Sequence, residues 1–230
     1  MKHADHASLH LKATAPFPPE LSILFGEWLY NVRAFLDGLL YELVAHDTGK
    51  NPPPNAERLQ FPIFKDRTAF DAKFHPKGLS ERTRTMIERM QPYHATGGHT
   101  GSGLWWIHEL ARIDRHRHGH ALVWRIINIQ LQVDSAFVDT TRTRVCDQFH
   151  ALVRDNEELE IATIYPVPGA KPDSNDGVDI RWTVQFDVPE WFQDSVRSYG
   201  SWSLDDRMRD IELLLVKSLD IFKRDVFDIT

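Results

Sequence analysis

Arginine and histidine alternate along one short stretch of the chain, where their side chains could bind an anion or move a proton. The stretch runs from residue 112 to residue 125 and contains one acidic residue, Asp114. Guanidinium groups form strong hydrogen bonds with phosphates and carboxylates, and imidazole groups exchange protons near neutral pH. The pattern therefore predicts a local basic patch. Its members are Arg112, Arg115, His116, Arg117, His118, His120 and Arg125.

The same stretch includes a predicted helix, residues 104–118, that carries a carboxylate among apolar residues. At 100° per residue, Asp114 and Arg117 lie within about 60° of Leu110, on the apolar stripe. An ionised carboxylate in an apolar setting costs several kcal/mol unless a cation or several donors pair with it. Asp114 should therefore have a cationic partner, either Arg117 or Arg33. This pairing is either a structural ion pair between helices or part of a polar pocket.

The first predicted helix carries a second group of polar residues. Arg33 and Asp37 are four residues apart on one flank of its apolar stripe, and Asn31 lies on the other flank. Such a pair is either an exposed helix salt bridge or one wall of a groove in which Arg33 holds an anion. We predict an anion-binding pocket between the first and third predicted helices, with tryptophans near its mouth that suit a nucleotide or an aromatic acid. The predicted ligand-binding residues are Asn31, Arg33, Asp37, Asp114, Arg117, Trp105 and Trp106.

Three histidines at alternate positions raise the question of a metal site. In a helix, His116 and His118 are about 200° apart, so they cannot share a metal ion. In a strand, alternate residues share a face, but Gly119 indicates that the helix ends within the triplet. No nearby carboxylate pattern completes a site. We therefore predict no metal ligands and no cofactor.

Hydrophobic periodicity predicts the elements that must position these residues. Apolar residues recur every three or four positions from Pro19 to His46, which is typical of an amphipathic helix. Two further helices and three strands follow, the strands being rich in β-branched and aromatic residues. The helices are predicted over residues 79–92 and 104–118, and the strands over residues 121–133, 159–167 and 178–188.

The predicted fold class is α+β. It is a helical bundle with a long N-terminal helix, central and C-terminal helices, and a small antiparallel β-sheet inserted before the last helix. Residues 1–18 are predicted to form an N-terminal tail, and residues 19–230 a single α+β domain. Within that domain, residues 19–120 are mainly helical, residues 121–190 form the sheet and residues 203–227 form the closing helix.

Composition narrows the expected location and partners. The net charge of −6 argues against a surface that attracts nucleic acid everywhere. The single cysteine, Cys146, excludes an intramolecular disulfide and a thiolate zinc cage, and it fits a reducing cytosol. No run approaches the roughly 18 apolar residues of a membrane span, and we recognise no signal peptide, so we expect a cytoplasmic protein with no membrane partner. Exposed aromatic residues at Trp191, Phe192 and Trp202 would suit a homodimer.

Three motifs resemble those of a widespread family of uncharacterised bacterial proteins. Residues 26–37 (GEWLYNVRAFLD) are similar to that family's GE-x-x-x-N-L-R-S-A-L-D helix, residues 60–64 to its QFPIF patch, and residues 109–117 (ELARIDRHR) to its L-x-x-I-D-K-H-R helix. The chain departs mildly from these patterns at Val32, Phe35 and Arg115. The resemblance covers roughly the first half of the chain and implies no activity. It selects Asn31, Arg33, Asp37, Asp114, His116 and Arg117.

The chain also has a weaker similarity to HEPN-type helical domains. In those domains an arginine holds a phosphate, and a histidine that follows after four to six intervening residues assists attack by a ribose 2′-hydroxyl. The resemblance implies a metal-independent ribonuclease or RNA-binding domain, with Arg112, His116 and His118 as the catalytic residues. Four pairs fit this spacing, close to the number that chance provides in a chain so rich in both residues. They are Arg89–His94, Arg112–His118, Arg115–His120 and Arg144–His150.

Four classes of function stay open at this point. The favoured class is a non-catalytic module that binds an anionic small molecule or a protein partner in the predicted pocket. The alternative is the HEPN-like ribonuclease or RNA-binding domain. The third class is a hydrolase or metal-dependent enzyme, and the fourth is a structural or unassigned role. The residues therefore favour a binding site and do not decide whether the protein is an enzyme.

Overall fold

The chain folds into an α+β structure that divides into two compact units. One unit combines residues 1–18 with residues 122–189, and the other combines residues 19–121 with residues 190–230. The α+β class is as predicted, whereas a single domain was predicted from residue 19 onward. The computed structural model describes residues 5–116, 120–146, 151–169, 177–192 and 202–228, with the backbone alone for residues 115 and 116.

Helix α1 (Pro19–Thr48) dominates the second unit because its apolar residues recur with helical spacing. Fully burying one such side chain stabilises a fold by about 1.5–3 kcal/mol. The helix ends at Gly49, whose φ of 63° is a conformation that a side chain disfavours. The amide of Lys50 then donates to the carbonyl of Ala45 at 3.2 Å. The buried residues are Phe25, Leu29, Val32, Leu36, Leu39, Leu40, Leu43 and Val44.

In the described part of the chain, four shorter helices follow, and polar side chains begin three of them. Asp66, Ser80 and Ser203 each accept a hydrogen bond from a backbone N–H of the first helical turn, which satisfies a donor without a helical partner. Among the described residues, no helix is long and apolar enough to cross a membrane. The helices are α2 (Arg67–Lys73), α3 (Glu81–Arg89), α4 (Gly103–His116) and α5 (Leu204–Asp225), and residues 189–192 are also helical.

The described residues of the first unit form two three-stranded antiparallel sheets, where one sheet was predicted. The strand orders are β1–β5–β3 and β4–β2–β6. Side chains from both sheets form one core around Ile126, Val153 and Ile161. The strands are β1 (Ala7–Lys12), β2 (Val123–Val133), β3 (Arg144–Val145), β4 (Leu152–Val153), β5 (Glu158–Ile164) and β6 (Val178–Asp187).

Strand β1 corrects the prediction of a tail over residues 1–18. Ala7 lies opposite Ile164 and Lys12 lies opposite Glu158, so β1 runs antiparallel to β5. Leu9 and Leu11 alternate along the strand and pack against the core of the first unit. The N-terminal segment is therefore part of a folded sheet.

The aromatic residues predicted to suit a homodimer are mostly buried. Trp191 and Phe192 expose 0% and 7% of their surface, so the prediction is wrong for these two positions, and Trp202 is exposed at 43%. The guanidinium of Arg207 lies 4.6 Å from the centroid of the Trp191 ring, a cation–π distance. Trp191 therefore belongs to the core of the second unit.

Candidate functional site

Arg33 and Asp37 bind the backbone of the QFPIF segment. The Asp37 Oδ1 atom accepts a hydrogen bond from the Phe61 N–H at 2.8 Å and a second one from Arg33 Nη2 at 3.0 Å. The same Arg33 nitrogen donates to the Phe61 carbonyl at 3.0 Å. The segment belongs to no sheet, so these side chains supply partners that its backbone groups require. This arrangement gives two of the three resemblance motifs a structural role.

Asp114 contacts α1 near Gly26, at a position along the helix axis that is distant from Arg33. It is half-buried, and a Cβ built on Gly26 would be 3.3 Å from its Oδ1 atom. Gly26 and Arg33 are seven residues apart, which is about 10 Å along a helix. In the structure, Asp114 therefore lies against Gly26, whereas Arg33 is hydrogen-bonded to Phe61. Arg117, the other predicted partner of Asp114, lies outside the described residues.

The close contact at Gly26 predicts different results for two matched substitutions in α1. Gly38→Ala should stabilise the protein by about 1 kcal/mol, because alanine favours helix and nothing lies within 4 Å of the added Cβ. Gly26→Ala should gain less or destabilise, because the Asp114 carboxylate must move. Urea unfolding curves measure both changes. Equal gains at the two positions would contradict the contact.

The remaining predicted site residues are scattered. Asn31 is exposed, and exposed Arg112 donates to Glu109 on its own helix at 2.7 Å. Trp106 is buried and donates to the Thr100 carbonyl at 2.8 Å, while half-buried Trp105 contacts the ring of His99 edge-on. The His116 side chain and all of His118 lie outside the described residues.

His120, from the same basic stretch, is a buried residue of the second unit. Its Nε2 atom lies 2.9 Å from the Leu110 carbonyl, which can only accept, so Nε2 carries the proton. Its ring meets Phe25 edge-on at 5.5 Å. Among the described residues, no group of three or more potential ligands could hold a metal ion. The position of His120 is therefore that of a core histidine.

A groove between α3 and α5 in the second unit brings together polar groups that the predicted pocket did not include. Its volume is about 610 Å³, within the range of small-molecule sites. Arg89 ends α3, His94 follows it, and Lys217 lies on α5, and all three line the groove. Residues 101–103, at the start of α4, line it as well. Its apolar walls include Met86, Met90, Leu213, Leu214 and Ile221.

Glu88 orients the imidazole of His94. His94 Nε2 lies 2.8 Å from Glu88 Oε1, and the hydroxyl of Tyr93 donates to the same oxygen at 3.0 Å. Partial burial alone would raise the pKa of Glu88, but the hydrogen bonds from His94 and Tyr93 outweigh it and the pKa lies below its usual value. The carboxylate is therefore ionised and accepts only, so the proton lies on His94 Nε2. Nδ1 remains as the nitrogen that can accept a proton.

Two cations and two carboxylates line the groove. Arg89 and Lys217 are cationic, and the N-terminus of α4 adds the partial positive charge of a helix end. Two carboxylates, Asp210 and Asp225, also line the groove. The guanidinium of Arg224 lies 2.7 Å from Asp225 and lowers its pKa, which compensates one of these charges. An anion would therefore be attracted to the part lined by Arg89 and Lys217.

Sequence reasoning named Arg89 and His94 without selecting them. Of the four pairs with the HEPN spacing, Arg89–His94 is the one in which both side chains are described, and both line one groove. Lys217 is more than a hundred residues away along the chain, so no local spacing could reveal it. No protein-family model, no curated protein and no solved structure matches this chain.

Proposed function

We propose that this protein is a cytoplasmic binding module for an anionic small molecule, held in the groove between α3 and α5. The observation that carries the proposal is that Arg89, His94, Lys217 and the start of α4 line one apolar groove. The sequence also favoured a binding module of this class. The proposed site, however, is the groove between α3 and α5 and not the pocket predicted between the first and third helices. Arg33 is less suited to hold a ligand because its guanidinium already binds Asp37 and Phe61.

The walls of the groove support one chemical class of ligand. Methionine and leucine side chains suit a flat apolar group, since flexible methionines adapt to different shapes. Guanidinium, ammonium and helix N-terminal groups together suit a phosphate. A nucleoside monophosphate combines both parts and fits a groove of about 610 Å³. The proposed ligand class is therefore a nucleotide or a similar aromatic phosphate.

A binding screen tests this proposal. AMP, GMP, CMP, UMP and indole-3-acetate are added to the purified protein, and the shift in its melting temperature is recorded, because a ligand of the folded state stabilises it. We expect a shift with at least one nucleotide and titrate that nucleotide by calorimetry. Arg89→Ala and Lys217→Ala should each weaken its affinity at least tenfold, because a hydrogen bond to a charged group contributes about 1.5–3 kcal/mol.

Arg58→Ala is the matched control for the loss of a cation. Arg58 is exposed, lies near Glu57 and does not line the groove, so its removal should change affinity less than twofold. The proposal fails if none of the five compounds shifts the melting temperature. It also fails if the affinity of a bound nucleotide is the same in the wild type, Arg89→Ala and Lys217→Ala proteins.

A second candidate function, metal-independent RNA cleavage, is supported by the contact between His94 and Glu88. A histidine whose Nε2 proton is held by a carboxylate presents Nδ1 as a general base. In this reaction, Nδ1 of His94 takes the proton of a ribose 2′-hydroxyl, and the 2′ oxygen attacks the adjacent phosphorus. The bond to the 5′ oxygen breaks, that oxygen takes a proton from solvent, and a 2′,3′-cyclic phosphate remains. Arg89 would stabilise the charge on the phosphate.

Incubation with a fluorescent RNA oligonucleotide in the presence of EDTA tests the second candidate. Cleavage is expected to slow at least about 100-fold in His94→Ala, because general base catalysis contributes about 10²–10⁴ to a rate. His75→Ala removes an exposed histidine elsewhere and should cleave normally. A DNA oligonucleotide of the same sequence should stay intact, since it lacks the 2′-hydroxyl. Intact RNA after several hours would reject this candidate and leave the binding proposal in place.

A further inference from the structure

Asp210 begins the row of α5 residues that line the groove between α3 and α5. Its carboxylate makes no hydrogen bond or ion pair with another described residue. The other carboxylate of the groove, Asp225, is held by the guanidinium of Arg224 at 2.7 Å. The buried side chain of Gln91 is also fully engaged, because it accepts from one backbone N–H and donates to two backbone carbonyls. Among the described residues of the groove, Asp210 is therefore the carboxylate that is open to a ligand.

Asp210 and Lys217 lie on the same side of α5. Seven residues are nearly two full turns, so the two side chains point in almost the same direction and are about 10 Å apart along the helix axis. Leu213 and Leu214 line the groove between them and offer apolar surface to the ring of a base. A nucleoside monophosphate has about this length from its phosphate to the far edge of its base. A nucleotide whose phosphate lies at Lys217 can therefore bring its base to Asp210.

Arg89 on α3 lies at about the same level of the groove as Lys217. The pKa of Asp225, at the end of α5, is lowered mainly by its hydrogen bond with the neighbouring arginine and also by the charge of Arg82. Arg82, near the start of α3, is therefore close to the end of α5. Arg89 follows Arg82 by seven residues and Lys217 precedes Asp225 by eight, which are about 10 and 12 Å along the two helices. Because both cations line the groove, a phosphate can contact them together.

We propose that the ligand of the groove is a guanine nucleotide and that Asp210 is the residue that distinguishes its base. This inference rests on the proposed function of the groove as a nucleotide site. An ionised carboxylate has two oxygens that only accept hydrogen bonds. Guanine is the one common base with two adjacent donors on its Watson–Crick edge, the N1–H and the N2 amino group. Each oxygen of Asp210 accepts from one of these donors.

The other three bases each place an acceptor against the carboxylate of Asp210. Adenine presents its N1 atom and cytosine its N3 atom, and neither atom carries a proton. Uracil has one N–H between two carbonyl oxygens, so one oxygen of the carboxylate faces a carbonyl. A bidentate contact with the correct base discriminates by about tenfold to a hundredfold. GMP should therefore bind about tenfold to a hundredfold more tightly than AMP, CMP or UMP.

Calorimetric titration of the wild type and Asp210→Asn with AMP, GMP and XMP tests the recognition of the base. XMP carries an oxygen where GMP carries its N2 amino group. In Asp210→Asn, the amide oxygen still accepts from N1–H, whereas the amide nitrogen opposes the amino group of GMP and donates to the oxygen of XMP. The wild type should prefer GMP and the variant should prefer XMP, each by about tenfold or more. A purely structural role of Asp210 would weaken both ligands without reversing their order.

Asp220→Asn is the matched control for the change of an aspartate on α5. Asp210 and Asp220 are both exposed, so neither variant should lower the melting temperature appreciably, and Asp220 does not line the groove. Asp220→Asn should therefore keep the preference for GMP. GMP that binds no more tightly than AMP, the same order of GMP and XMP in the wild type and Asp210→Asn, or a reversed order in Asp220→Asn would each overturn the inference while the groove remains a nucleotide site. If no nucleotide binds the wild type, the proposed function fails and this inference fails with it.

Discussion

Replacing Asp187 with alanine should destabilise the protein by about 3–5 kcal/mol, the usual cost of removing one partner of a buried ion pair. Asp187 and Arg125 expose 0% and 1% of their side chains, and Arg125 Nη1 lies 3.0 Å from Asp187 Oδ2. Asp187 also accepts a hydrogen bond from the N–H of Val188 at 2.8 Å. Without the carboxylate, the guanidinium keeps its charge in the core of the first unit and loses its counter-ion.

Urea unfolding of three variants separates burial from charge. Asp179→Ala removes a carboxylate from an exposed ion pair with Arg181 on the same strand, and it should cost less than about 0.5 kcal/mol. The double variant Arg125→Met with Asp187→Leu removes both buried charges and should lie closer to the wild type than Asp187→Ala does. A cost below about 1 kcal/mol for Asp187→Ala would contradict this description of the pair.

The substitution Asp37→Ala should destabilise the protein by about 2–3 kcal/mol. It removes the acceptor for the Phe61 N–H and the counter-ion of Arg33, whose side chain is only 12% exposed. A buried donor without its partner costs about 1–3 kcal/mol, and a partly buried charge adds to that cost. The loss should appear in urea unfolding and as faster hydrogen exchange at the amide of Phe61.

Asp37→Asn is the matched variant for this second prediction. It keeps an oxygen that can accept from the Phe61 N–H and removes the negative charge facing Arg33. Its stability should therefore lie between those of the wild type and Asp37→Ala, and exchange at the Phe61 amide should be less than twofold faster than in the wild type. If the two variants are equally unstable, the charge rather than the backbone contact dominates at this position.

Most of the elements were predictable because their patterns are local. Helices α1, α3, α4 and α5 and strands β2, β5 and β6 all lie close to their predicted positions. Each has a long run of side chains with helical or alternating periodicity. Strand β1 was missed because its partner β5 lies about 150 residues later in the chain, and alternation over six residues is a weak signal.

The site was harder to predict for a different physical reason. A helical wheel shows which face a residue occupies, but it does not show which element covers that face. Arg33 and Asp37 were correctly placed beside each other, but their hydrogen bonds to the backbone of Phe61 could not be read from the wheel. The polar groups of the groove come from α3, the turn after it and α5, and only the tertiary fold brings them together.

The order of the two units along the chain has a consequence for how this protein can be made and divided. The first unit begins before residue 19 and resumes at residue 122, and the second resumes at residue 190 after that interruption. A ribosome must therefore synthesise most of the polypeptide before all the contacts within either unit can form. No single cut releases an intact half, and an isolated sheet unit would require a new peptide connection between Pro18 and Leu122.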